Sequence, residues 1–376
     1  MSRERIKVWM GIGSLSGGGA EKQLELLVNH LDPKRFEIRV AYVREGKVVP
    51  EYPDSVQTCF LKRTSTYRWD SVWRSIREGF KEWRPDVIHV WLPEVISIPG
   101  AVCGRLLGIP VVSSIRRSNY KGIGWRNYLR ETMGLIPHLF SNRIVSNFPL
   151  IGEIEPLRTF WRLAHAQVIP NGVRQAGATH IPKEEQKKDT SLVVNFVFVG
   201  RFAPQKRLPF LIRALAGLPD LSWRLTVYGT GSISDQDALK ALVCKHQLQD
   251  RIHFEGFVSD WRANSRKFDY MLFPSVSEGM PNVVVEAMAE GLPVVGSRIP
   301  ELSNILIEGQ NGAYFKPDDA EDLQTVIGEL LRNRENYFAL SKSAVETAQC
   351  FSIDALVVAY SKLYEGLSLR GKMERL

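Results

Sequence analysis

Between Tyr270 and Gly296 the chain reads YMLFPSVSEGMPNVVVEAMAEGLPVVG, and few folds accommodate that order. Tyr270 to Phe273 form an apolar strand, a loop rich in Pro and Gly follows, then a short helix capped by Asn282, then a second apolar strand from Pro293 to Val295. A strand, turn, helix, strand unit of this kind belongs to a parallel α/β sheet. Its loop lies at the carboxyl end of the first strand, where such sheets bind ligands.

The unit carries two carboxylates, Glu278 in the loop and Glu286 eight residues later, about a turn inside the helix. Helical side chains lean toward the N-terminus, so Glu286 points back toward the loop that holds Glu278. A carboxylate pair repels phosphate and accepts hydrogen bonds from hydroxyls, which suits the diols of a sugar or a ribose. Taken alone, the two residues are better explained as a helix-start acid offsetting the dipole and a solvated loop acid.

The longer pattern SEG-MP-NVVVEAMAEGLPVV resembles the E-x7-E segment of retaining family 4 glycosyltransferases, which have the two-domain GT-B fold. The resemblance implies that Glu278 contacts the transferred sugar and Glu286 holds the nucleotide ribose. It also implies that Gly279, Met280, Pro281 and Asn282 belong to the donor site.

A chain of 376 residues is long enough for two domains, each with its own core. Every apolar run is interrupted before membrane-spanning length, and no signal peptide is evident. Cys59, Cys103, Cys244 and Cys350 are widely spaced without a C-x-x-C pair, the usage of a reducing, cytoplasmic setting with no metal site. The net charge of +8 is uneven: residues 1–172 hold 25 basic and 16 acidic side chains, leaving 24 and 25 for the rest. The basic half suggests an anionic partner. From Arg105 to Arg143 seven basic residues, Arg116, Arg117, Lys121, Arg126 and Arg130 among them, stand against the single acid Glu131, with Tyr120, Trp125 and Tyr128 interleaved. With no nucleic-acid motif beside it, this pattern favours peripheral contact with an anionic membrane at its inner face, or a lipid diphosphate acceptor.

At the N-terminus, strand Ile6 to Gly13 runs through SLSGGG into an amphipathic helix from Ala20. Gly17, Gly18 and Gly19 admit close backbone approach, and the helix start offers N–H groups to an anion. A dinucleotide oxidoreductase would need an acid at the end of the second strand, and Arg44 stands there instead. GGGAEKQLELL is similar to the first loop of the family 4 enzymes, which closes over donor phosphates and acceptor. The helix 70–84 carries Trp73, Ile76, Phe80 and Trp83 at helical spacing, a stripe for the domain core, and His89 in the next strand reads as an interior histidine. Related enzymes often have a histidine near the end of the strand Pro110 to Ile115; here Arg116 follows, suited to holding a phosphate or an anionic sugar. A noncatalytic sugar-nucleotide or membrane-binding protein of the same fold is the alternative that this departure keeps open.

The second half opens with NFVFVGRFAPQKRL, a strand followed by a helix starting near Gln205. Arg201 and Lys206 flank that loop in G-R-x4-K order, which matches the diphosphate-binding Arg and Lys of the family. The resemblance places Phe257 and Val258 near the nucleotide base and implies no metal and no cofactor. Asp235 and Asp237 read as charges favouring a helix start. The expected organisation is an acceptor-side Rossmann-like domain over 1–173, a linker over 174–192, a donor domain over 193–350, and a final helix over 351–376 returning to the first domain. The expected architecture is GT-B: two doubly wound parallel sheets facing a central cleft. The expected activity is transfer of a sugar from a nucleotide-diphosphate donor, a UDP-sugar, to a glycan or lipid-linked acceptor hydroxyl.

Overall fold

The computed structural model describes residues 4–15, 18–45, 51–62, 70–92, 96–116, 133–148, 166–175, 193–218 and 222–373. Gly17, Arg117, the basic and aromatic run 117–132 and most of the 174–192 segment lie outside them. The chain forms two compact units, one of residues 1–172 and 353–376, the other of residues 173–352.

The first unit is built on seven parallel strands: β1 (Ile6–Ile12), β2 (Phe36–Tyr42), β3 (Val56–Phe60), β4 (Val87–Val90), β5 (Val111–Ile115), β6 (Arg143–Ser146) and β7 (Ala166–Val168). Their order in the sheet is β3-β2-β1-β4-β5-β6-β7. The period-2 alternation of strand side chains sends successive residues to opposite faces. Val8, Met10 and Ile12 therefore join one core with helix α1 (Gly19–His30) and the C-terminal helix Ile353–Met373. Trp9 joins the other, with α2 (Asp70–Trp83) and α3 (Ser97–Leu106). The α2 stripe is Val72, Ile76, Phe80 and Trp83, with Trp73 only half-buried at its edge. Each fully buried side chain of this size contributes about 1.5–3 kcal/mol of transfer free energy, which outweighs the modest helix propensity of such aromatic-rich segments.

The second unit holds six parallel strands: β8 (Val194–Val199), β9 (Trp223–Tyr228), β10 (Ile252–Gly256), β11 (Tyr270–Phe273), β12 (Val294–Ser297) and β13 (Gly312–Phe315). Their order is β10-β9-β8-β11-β12-β13. Phe196 and Phe198 pack with α4 (Leu208–Ala216), α5 (Ile233–Lys245) and α7 (Ala320–Arg332) on one face. Val197, Met271 and Phe273 pack with α6 (Asn282–Ala289) and α8 (Tyr337–Gln349) on the other.

Three local expectations are corrected. Helix α4 begins at Leu208, because Pro204–Lys206 form a 3-10 turn and Arg207 adopts φ +53°, which ends it. Helix α6 begins at Asn282 itself; Pro281 occupies the cap position and no side chain caps the helix. Ile299-Pro300-Glu301 reads in sequence as the opening of a helix, but Pro300–Leu302 is a single 3-10 turn. Asp235, by contrast, completes a capping box with Ser232, so its carboxylate serves the start of α5.

Among the described residues, no helix is long and apolar enough to cross a membrane.

Candidate active site

In the second sheet, chain order reverses between β8 and β11, which are direct neighbours with Tyr270 opposite Phe196 and Met271 opposite Val197. The loops after these two strands therefore meet at a topological switch point, where open α/β sheets bind their ligands. One loop is Gly200–Arg207 and the other Pro274–Pro281, so the G-R-x4-K and E-x7-E segments lie side by side although they are distant in sequence. A backbone hydrogen bond from Val276 N–H to Gln205 C=O (2.9 Å) joins them.

The side chains complete the junction. Lys206 Nζ lies 2.7 Å from Glu278 Oε1, with both side chains mostly shielded (14% and 16% exposed). Oε1 is cut off from solvent, so the ammonium is what offsets its charge. The Lys206 stem runs along Gly200, where a Cβ would meet its Cε at 3.4 Å, and Nζ also faces the Phe273 ring at 5.2 Å. Arg201 is exposed on the same loop and pairs with no carboxylate among the described residues. One cation is thus paired with a carboxylate of the site and the other is available to an anion.

Glu286, in the second turn of α6, accepts a hydrogen bond at Oε2 from the buried indole Nε1 of Trp261 (3.3 Å). Glu301, just after β12, accepts the backbone N–H of Glu278 at Oε1 (3.3 Å) and so braces the loop. Trp261 and Glu301 were not singled out from sequence. The signals were a lone tryptophan in the polar run SDWRANSRK, and an acid directly after Pro300 at a strand end. Gly279 is partly exposed and Met280 and Pro281 are buried in the same loop. Phe257 is 69% exposed at the carboxyl end of β10, and Val258 packs against the core beside α6.

The carboxyl ends of β8, β9 and β10 are tied by backbone hydrogen bonds: Gly200 N–H to Tyr228 C=O (2.9 Å), Phe202 N–H to Thr230 C=O (2.9 Å), Gly229 N–H to Gly256 C=O (2.7 Å).

In the first unit, Gly18 precedes α1 with extended backbone, and a Cβ there would lie 2.6 Å from the Glu21 carboxylate; Gly19 is the first helical residue. Arg116 is buried. Its Nη1 donates to Asn171 Oδ1 (2.8 Å), its Nη2 donates to Tyr360 Oη (2.7 Å), and the guanidinium stacks 3.6 Å over Trp91. These contacts engage one hydrogen on each terminal nitrogen and hold the guanidinium inside the unit, while the buried Nε has no hydrogen-bond partner among the described residues. Beside it His89 is fully buried between Tyr364 Oη (2.7 Å) and Ser114 Oγ (2.8 Å). Burial, and after it the Arg116 charge, hold His89 well below the usual imidazole range, so it is neutral. Gly172 exchanges two hydrogen bonds with the amide of Gln23 (2.8 and 2.9 Å), which explains the Asn171-Gly172 pair as an anchor of this unit.

Comparison with known proteins follows the same division. The model for Glycosyltransferase Family 4 matches residues 17–175, and that for Glycosyl transferases group 1 matches residues 194–333. An uncharacterized glycosyltransferase of Methanocaldococcus jannaschii is 33% identical over 46% of this chain and 48% of its own length. This chain therefore spans about half of that relative. The lipopolysaccharide core biosynthesis glycosyltransferase LpsE of Rhizobium meliloti is 26% identical over 92% of this chain and 95% of its own. Anabaena HepE, solved in complex with UDP, superposes with a TM-score of 0.77 at 17% identity, covering 96% of this chain and 100% of that one. The architecture is the GT-B fold of glycosyltransferases. Within that class, the Family 4 match falls on the first part of the chain and the group 1 match on the second.

Proposed function

We propose that this chain transfers a sugar from a nucleoside diphosphate donor, a UDP-sugar, to an acceptor hydroxyl with retention of anomeric configuration, in the synthesis of a lipid-linked or surface polysaccharide. The observation that carries this reading is the Lys206–Glu278 contact at the switch point, which sets a cation for phosphate beside a carboxylate for sugar hydroxyls. HepE, of the same fold, has been solved with UDP and with UDP-glucose, which favours uridine as the base. LpsE, matched along nearly the whole chain, acts in lipopolysaccharide core biosynthesis, which favours a lipid-linked acceptor and peripheral contact of the basic first half with an anionic membrane.

Chemically, the bond between the anomeric carbon and the diphosphate oxygen breaks while positive charge develops on the sugar. Arg201 and Lys206 offset the charge of the departing diphosphate. Glu286 accepts from the ribose hydroxyls. Glu278, with the N–H groups near Gly279 and Met280, orients the sugar. The acceptor oxygen attacks from the face that the diphosphate leaves, and the leaving phosphate oxygen takes the acceptor proton. Residues 193–350 bind the donor on this reading, with Gly18 and Gly19 toward its phosphates, and residues 1–173, with Gly17, Arg116 and Arg117, serve the acceptor side.

Slow hydrolysis of the donor tests the stereochemistry, because water replaces the acceptor. Incubation with α-linked UDP-sugars, followed by proton NMR before mutarotation equilibrates the product, is expected to show the α-anomer of free sugar first. Initial release of the β-anomer contradicts retention.

A further inference from the structure

Opposite the reaction end of the first sheet lies a pocket of about 270 Å³ that the transfer reaction does not use. Pro110, just before β5, and Asn142 and Arg143, at the start of β6, place it at the amino ends of the strands. Asn142 fixes this corner: its Oδ1 accepts the Val111 N–H (2.9 Å) and its own N–H donates to Val111 C=O (2.8 Å).

Three arginines line the pocket, each from a different element: Arg105 from the end of α3, Arg143 from β6 and Arg370 from the C-terminal helix. No acidic residue lines it, and none of the three arginines pairs with a carboxylate among the described residues. Arg143 Nη1 donates to the carbonyl of Asn142 (2.8 Å). Three guanidiniums held around one concavity repel one another, and an anion relieves that repulsion.

The apolar surroundings say which anion. Leu139 lines the pocket and is 63% exposed; Leu106, next to Arg105, is 80% exposed, and Leu369, next to Arg370, is 60% exposed. Met133, at the other end of the helical residues 133–139, is 52% exposed. A soluble phosphate has no use for exposed leucines, whereas a bilayer takes both the leucines and the arginines, one into the acyl boundary and the other at the headgroups.

We infer that the Arg105–Arg143–Arg370 pocket seats the phosphate of an anionic lipid headgroup, with Leu106, Leu139 and Leu369 entering the bilayer around it. This deepens the peripheral-membrane reading by assigning the contact to the amino-end corner of the first sheet, at residues outside the 117–132 run. It leaves the carboxyl ends of the strands free for substrates.

Cosedimentation of the full chain with vesicles tests this. Wild type is expected to bind vesicles of phosphatidylcholine mixed with phosphatidylglycerol and to ignore phosphatidylcholine alone. Each arginine removed should weaken binding about fivefold, so the triple variant Arg105→Gln, Arg143→Gln, Arg370→Gln should lose on the order of a hundredfold. Arg370→Glu alone, at an exposed position near the chain end, should lose at least about fivefold and guards against misfolding of the triple variant. The pocket assignment is overturned if the triple variant binds the mixed vesicles as wild type does, an outcome that leaves the broader membrane reading standing. Absence of wild-type binding to either vesicle overturns both. Release of bound protein by millimolar inorganic phosphate would also overturn the assignment, giving the pocket to a soluble anion.

Discussion

Replacing Glu278 by alanine is expected to lower turnover by on the order of 10²–10³-fold while UDP binds as well as before or up to about tenfold more tightly. The opposite signs follow from one contact. Glu278 Oε1 neutralises Lys206 at 2.7 Å, so a diphosphate must compete with the carboxylate for the ammonium. Removing the carboxylate frees the cation for phosphate and deprives the sugar of the group that orients it. Glu278→Gln separates the two effects: the amide still accepts from sugar hydroxyls but carries no charge, so part of the turnover should return while UDP affinity stays raised. Steady-state kinetics with the cognate donor and UDP titration of each variant check this. Loss of UDP binding in Glu278→Ala would show that the residue holds the loop together, which the Glu301 brace is argued to do, and the catalytic assignment would fail.

The second large effect is on stability. Gly229 has φ +136°, and a Cβ there would lie 1.9 Å from the carbonyl oxygen of Gly200, a backbone atom that cannot move without dislodging the Lys206 loop. Gly229→Ala therefore combines a backbone conformation closed to L side chains with an overlap no rotamer relieves. The expected cost is about 3–5 kcal/mol to the second unit, together with loss of UDP binding. Gly256 supplies the control. Its φ is +73°, but a Cβ there meets nothing within 4 Å, so Gly256→Ala should cost only about 1–2 kcal/mol of left-handed strain. Denaturant unfolding of the two variants compares them directly. Equal costs would mean that conformation alone governs these turns and that the contact between the β8 and β9 ends carries no weight.

How much of this was legible beforehand depends on the distance in sequence between the partners. Strand and helix identities were readable because β1 and β8 are short, mostly apolar runs that end in glycine-containing turns and apolar residues recur at helical spacing in α2. The Lys206 and Glu278 motifs were legible one at a time. Their contact was not, because it depends on β8 lying next to β11, and strand order is set by how the whole sheet packs. Helix starts failed where proline intervened. Pro281 takes the place expected for the Asn282 cap, and the Pro204 turn with left-handed Arg207 delays α4 to Leu208.

Arg116 shows the remaining limit. An arginine at a strand end invites an anion, yet Asn171, Tyr360 and Trp91 claim its guanidinium. Tyr360 comes from the last helix of the chain, so no local pattern announces it. Trp261 and Glu301 stayed hidden for the same reason: each matters through a carboxylate or a loop that folding brings to it.

On the proposed function, the Arg201, Lys206 and Glu278 loops of the second unit bind a nucleoside diphosphate sugar. Thermal-shift measurements with UDP, GDP, ADP, CDP and their common sugar conjugates, with EDTA present, test it most directly on wild type and Arg201→Ala. A ligand that binds only the folded chain at about a hundred times its dissociation constant adds about 2.7 kcal/mol of apparent stability. The expected result is a rise in melting temperature with the uridine ligands, unaffected by EDTA and largely lost in Arg201→Ala. No shift with any nucleotide, or an equal shift in the variant, would contradict it.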